Sequence, residues 1–200
     1  MSNLKETILN PILKGNPITV LVLGICSSLA VTVQLKGALV MALSVTIVTG
    51  LSSLVVSLLR NTIPNRVRII VQLVVVAMMV ILVDQVLKAY AYAIDKQLSV
   101  YISLIITHCI VRGRIEAFAL GNKPIPSLLD GLANGVGYGL ILIIVAFFRE
   151  LLGSGTLLGM RVLPAGYIPN NLVILPPFAL ILLGCIIWVH RACDKELQEK

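Results

Sequence analysis

Charged residues are scarce: Asp, Glu, Lys and Arg make up 12% of the 200 residues, about half the share of a soluble domain. Aromatics are scarcer still at 5%, with a single Trp. What fills the chain is apolar: 58% of it, with a mean hydropathy of +1.01. Apolar runs leave no stretch free for a soluble domain, so any activity sits in or beside a bilayer. The four cysteines, Cys26, Cys109, Cys185 and Cys193, form no CxxC pair and no zinc spacing, and three lie inside apolar runs, which excludes a disulfide framework. No Walker loop, dinucleotide fingerprint, metal-hydrolase spacing or nucleophile motif occurs, so the chain shows no site of its own for NADH or a flavin.

The net charge of +7 does not point to nucleic acid, because the basic residues gather in short connections between apolar runs. Six runs approach membrane length, at 17–33, 37–59, 67–87, 98–111, 128–148 and 172–189. Their apolar residues surround the helix axis instead of alternating, which predicts an all-α integral membrane protein and not a barrel. The first run has no small-residue cleavage site after it and reads as an uncleaved span. In a six-span topology Lys5, Lys14, Arg60, Arg66, Arg68, Arg112, Arg114, Lys123, Arg191, Lys195 and Lys200 share one side. Only Lys36, Lys88, Lys96, Arg149 and Arg161 fall on the other, which predicts cytoplasmic termini.

Two runs are short, 17–33 and 98–111, and each carries a cysteine beside polar or small residues: Gly24-Ile25-Cys26-Ser27-Ser28 and Thr107-His108-Cys109. Interrupted spans of this kind are tolerated at membrane depth only where protein or a cavity receives the backbone. The order short, long, long therefore occurs twice, and predicts two inverted three-helix repeats, 1–97 and 98–200, in one membrane domain. About six extra residues near Gly121-Asn122-Lys123-Pro124 align the second with the first. At 1.5 Å per residue, Cys26 lies about 14 Å beyond residue 17 and Cys109 about 17 Å beyond residue 98, entering from opposite faces. Both thiols reach mid-depth, where they either ligate a shared metal or serve as small apolar side chains.

The other candidates read more simply. His108 adjoins Cys109 but points about 100° away on a helix, so a satisfied polar contact is the expected role. Gly131, Gly135 and Gly139 clear one helix face for close packing. Asp84 and Asp130 lie at opposite mouths of the protein, where they attract a cation, or else serve as a partner for Lys88 and a helix-start carboxylate. Glu116 with Arg112 and Arg114, and the Arg149-Glu150 pair, read as interfacial charges.

The segments Leu23-Gly24-Ile25-Cys26-Ser27-Ser28, Val83-Asp84-Gln85-Val86-Leu87-Lys88, Thr107-His108-Cys109-Ile110-Val111 and Phe148-Arg149-Glu150-Leu151-Leu152-Gly153-Ser154-Gly155 extend the reading. Through them, and over nearly its whole length, the chain resembles the membrane subunits of the sodium-translocating NADH:quinone oxidoreductase (Nqr) and of the related Rnf complexes of bacterial inner membranes. The second and fourth segments favour the Nqr branch. The resemblance implies a six-helix protein paired with a homologous E-type partner of opposite topology, the two sharing an intramembrane 2Fe-2S cluster. Cys26 and Cys109 match the family's ligand cysteines. It further implies that FAD, FMN, riboflavin and NADH belong to the A, B, C and F components of the complex, and that electron relay toward ubiquinone drives Na+ translocation. His108 stands where the family usually has Asn, and Arg112 where it has an apolar residue. The alternatives are the Rnf ferredoxin:NAD oxidoreductase and a secondary transporter with incidental cysteines.

Overall fold

The computed structural model describes residues 16–61, 63–64, 66–90, 105–157, 160–161 and 171–193. Helical residues 105–106 aside, the helices are α1 (Ile25–Val31), α2 (Leu35–Leu59), α3 (Arg68–Tyr90), α4 (Cys109–Arg114), α5 (Pro124–Ser154), α6 (Asn171–Ile174) and α7 (Pro176–Cys193). A π turn, Ile115–Ala119, extends α4, and a two-residue ladder pairs β1 (Thr156–Leu157) with β2 (Met160–Arg161). Helices α2, α3 and α5 are long and apolar enough to cross a membrane, and α7 is a shorter apolar helix. The expected connection at 91–97, the start of the fourth run at 98–104, Lys5, Lys14, Lys96, Lys195, Lys200 and the side chain of Cys193 lie outside the described residues.

Helix α2 shows why the pattern suits lipid. Its exposed face carries Leu39, Leu43, Ile47 and Leu51, four residues apart. Its buried face carries small or polar residues, among them Ala38, Ala42, Ser44, Thr49, Ser52 and Ser53. Met41, Val45, Val48 and Val56 are buried beside them, and the small residues let backbones approach closely, which drives helix association in lipid where apolar burial does not. The partner helix is α5, which crosses α2 through the glycine face expected from the sequence. A Cβ on Gly135 would stand 2.6 Å from the Thr46 Cα, one on Gly131 2.9 Å from the Thr49 carbonyl oxygen, and one on Gly139 2.9 Å from the Ala42 Cβ.

Two expected boundaries are corrected. Residues 17–21 of the first run are turn, not helix, and α1 begins only at Ile25. The fourth run does not end at Val111: α4 continues through Arg112-Gly113-Arg114 and the π turn to Ala119. The helix passes its basic residues because Arg114 is neutralised by the Asp130 carboxylate of α5 and Glu116 by Arg68 of α3. Helix α5 likewise outruns its predicted span at both ends, starting on Pro124 at its first turn and stopping at Gly155, whose φ of 67° suits a glycine cap.

Candidate functional site

The approach to α1 is built to bring its first turn inward. Asn16 anchors it twice, its side-chain oxygen accepting from the Ile18 N–H (3.0 Å) and its amide donating to the Gly137 carbonyl of α5 (3.1 Å). The chain then turns through Val22 and Gly24, with φ of 55° and 85°. A β-branched residue in the left-handed region is strained, a state that persists only where surrounding contacts hold it. Gly24 has a second reason to lack a side chain: a Cβ there would stand 2.8 Å from Ile110 Cδ1, 3.1 Å from Tyr138 and 3.2 Å from His108.

On the other side, His108 leaves helical geometry (φ −63°, ψ 122°) and caps α4, its Nδ1 accepting from the Ile110 N–H at 3.3 Å. That acceptor role places the ring proton on Nε2. Nε2 lies 2.6 Å from Ser27 Oγ and 3.3 Å from the Tyr138 hydroxyl, which itself lies 2.8 Å from Ser27 Oγ. Ser27 in turn donates to the Gly24 carbonyl at 3.0 Å. Every polar atom of this buried triad has a partner, as a membrane interior demands. The expected satisfied polar contact for His108 is what the geometry shows.

With both breaks in place, the flanking residues meet. Cys26 Sγ and Cys109 Sγ stand 3.9 Å apart as free thiols, although 83 residues separate them. Cys26 is exposed and Cys109 half-buried, so the pair opens outward with the triad behind it. Thiolate ligands at about 2.3 Å on a tetrahedral metal ion lie about 3.8 Å from each other. The observed separation fits two ligands on one such ion. Among the described residues no third His, Cys, Asp or Glu joins them in a metal-holding group, so the described part of the site consists of two thiols.

The remaining candidates stand elsewhere. Asp84 pairs with Lys88 one turn on (2.5 Å). Asp130 receives both Arg114 Nε (3.0 Å) and a terminal guanidinium nitrogen, and Asn134 donates to it at 3.1 Å. Cys185 is exposed on α7 beside a hollow lined by Phe148, Leu182, Ile186, Val189 and His190.

The Arg149-Glu150 pair, expected at an interface, is buried instead. Arg149 donates to the Leu29 carbonyl (3.0 Å) and Thr32 Oγ1 (2.5 Å) at the end of α1, and to the Val173 and Ile174 carbonyls of α6. Glu150 accepts the Leu35 N–H that opens α2, at 2.6 Å. One dipeptide thus satisfies orphan backbone groups at three helix ends. At the end of α2, Arg60 donates to the Asn122 carbonyl (2.8 Å), beyond the π turn. An arginine at the end of α2, Arg60, and one in the last turns of α5, Arg149, thus each satisfy carbonyls of a broken segment.

The family model for the Rnf-Nqr subunit, a membrane protein, matches residues 4–187. The chain belongs to the Rnf-Nqr family. Among curated relatives, a protein of Aeromonas salmonicida is 55% identical over 100% of this chain and 98% of its own length, and one of Haemophilus influenzae is 56% identical over 98% and 97%. Both are named as the D subunit of a Na(+)-translocating NADH-quinone reductase, a component of an oxidoreductase complex. The Rnf-Nqr match runs through both cysteine segments and all three membrane-length helices.

Proposed function

We propose that the chain is the D-type membrane component of a sodium-translocating NADH:quinone reductase in a bacterial inner membrane. In this reading Cys26 and Cys109 hold one iron of a 2Fe-2S centre, and a homologous E-type partner of opposite topology supplies the other half. The observation that carries it is the outward-facing 3.9 Å thiol pair formed by two broken helices. When bound, such a centre accepts and donates single electrons at mid-membrane depth. The chain's own residues do the rest: the thiolates fix the centre, the buried Ser27, His108 and Tyr138 exclude water behind it, and the exposed edge of Cys26 is left for the partner. FAD, FMN, riboflavin and NADH sit on the A, B, C and F components, and electron flow to quinone is coupled to outward Na+ movement. The relatives' names support the Nqr over the Rnf branch.

The reading includes six spans in two inverted repeats, 1–97 and 98–200, with both termini cytoplasmic. The crossing of α2 and α5 supports it. A shift of 89 positions carries Ala42 to Gly131, Thr46 to Gly135, Gly50 to Gly139 and Arg60 to Arg149. The same shift exchanges the Ala42/Gly139 contact with the Gly50/Gly131 contact and returns Thr46/Gly135 to itself. That is the behaviour of a twofold axis passing between Thr46 and Gly135, and it also exchanges the two capping arginines.

Iron content and the electron paramagnetic resonance spectrum of the chain co-expressed with its E-type partner test the cluster. Cys26→Ser and Cys109→Ser, if assembled, are expected to lose the iron and the signal together. Retained iron and full electron transfer in either variant would overturn the assignment. For the Na+ path, Asp84 and Asp130 are the proposed attracting carboxylates. Asp84→Ala and Asp130→Ala are expected to change the Na+ dependence of turnover in the assembled complex, and an unchanged dependence in both removes them from the path.

A further inference from the structure

The two cysteine-bearing helices barely lean on each other. Helix α1 packs on α7, α2 and α5, while α4 packs on α2, α3 and its own π turn. A 3.9 Å separation between thiols on two such helices needs a direct tie, since each helix could otherwise settle independently on its own neighbours. Apart from the thiol contact itself, a side-chain hydrogen bond between Ser27 and His108 joins the two segments. Ser27 follows Cys26 and His108 precedes Cys109, so the tie lies one residue from each thiol.

We infer that Ser27, His108 and Tyr138 form a positioning clamp that sets the distance between the Cys26 and Cys109 thiols. The direction of each bond follows from the cap. Because His108 Nδ1 accepts from the Ile110 N–H, Nε2 donates, and Ser27 Oγ, which donates its own proton to the Gly24 carbonyl, is the acceptor. The Tyr138 hydroxyl donates to the same oxygen from α5. Tyr138 also meets the His108 ring edge to face, with centroids 5.1 Å apart and planes at 79°. The imidazole is therefore held in plane and in tautomer, and Ser27 Oγ is the joint at which three segments of chain converge. Tyr138 is wholly buried, with His108 and Ser27 1% and 2% exposed, so water cannot replace a lost partner. Gly24 is part of the device, since any side chain there would occupy the space of His108 and Tyr138.

The clamp acts on thiol geometry whether or not iron is bound, so it is testable apart from the cluster assignment on which its second readout rests. The assembled complex, stripped of iron by a chelator under reducing conditions, is treated with a short bifunctional thiol reagent that fluoresces only when both arms react. The bridging rate is divided by the rate of single alkylation with the monofunctional analogue, which corrects for accessibility. Loss of a buried hydrogen-bond acceptor weakens the tie enough that Ser27→Ala is expected to lower this ratio about tenfold. Tyr138→Phe, which keeps the ring and removes one donor, is expected to lower it severalfold in the same direction. An unchanged ratio in an assembled Ser27→Ala or Tyr138→Phe complex would overturn the clamp. Should Ser27→Ala fail to assemble, Tyr138→Phe decides alone. In the iron-loaded complex the same variants are expected to shift the midpoint potential and broaden the resonance lines while iron content is retained. Loss of iron in the cysteine variants tests the cluster, and the bridging ratio tests the clamp, so the two can fail separately.

Discussion

At the scale of single residues, the least replaceable positions are those where backbone conformation and space agree. Gly24 has φ of 85° and no room for a Cβ. Gly24→Ala combines backbone strain with a clash against Ile110 and is expected to cost about 2–3 kcal/mol, read as a lowered Tm of the detergent-solubilised complex. Gly184→Ala is the control, since a Cβ there meets nothing within 4 Å, and its Tm should be unchanged or higher because alanine suits a helix interior. Arg149 is the residue that reading the sequence misplaced. Beside Glu150 and at the end of an apolar run, a charge pair looks interfacial. Its acceptors, at Leu29, Thr32, Val173 and Ile174, become neighbours only after the chain has folded, so no local pattern could announce them. Arg149→Leu leaves those buried and part-buried acceptors without donors and is expected to cost about 3–5 kcal/mol, enough to abolish assembly, as measured by recovery of the complex.

At the scale of elements, small residues were the most legible signal. The four-residue repeat of Gly131, Gly135 and Gly139 predicted a close helix contact, and α2 occupies it. The identity of the partner was not legible, because glycine records the absence of a side chain and not what fills the space. Gly135→Val is expected to separate α2 from α5, since the Cβ alone would approach the Thr46 Cα to 2.6 Å. A lowered Tm with lipid-facing Val136→Ala unaffected is the predicted pattern, and equal sensitivity at the two positions would count against the crossing. The broken helices were legible from length and composition. Their boundaries were not, because Arg114, in the Arg112-Gly113-Arg114 sequence that seemed to end a span, is paired with Asp130 across the fold. Charges end membrane helices only when they must reach water, and here the counter-charge comes from α5.

At the scale of the whole molecule, large apolar side chains face outward among the described residues, with Leu43, Ile70, Val74, Met78 and Ile81 each more than half exposed. Lipid accounts for such a surface, but not for a thiol pair placed on it. Cys26 is exposed while the residues behind it are sealed, an arrangement that places the reactive edge where another protein can complete it. That Cys26 and Cys109 come together was foreseeable from two short, interrupted runs, whereas their 3.9 Å separation is matched by contacts among Ser27, His108 and Gly24 that no local pattern announces. If a partner closes this face, accessibility must depend on assembly and not only on iron. Single alkylation of Cys26 is expected to be rapid when the chain is produced without the proposed E-type partner and slowed about tenfold in the complex, even after iron is stripped, because a well-packed interface hinders the reagent's approach without closing it off. The comparison is made on a Cys185→Ser background so that only one exposed thiol of the described residues is read. Equal alkylation in the presence and absence of that partner would show that this face is not the interface, and would leave the proposed centre without its second half.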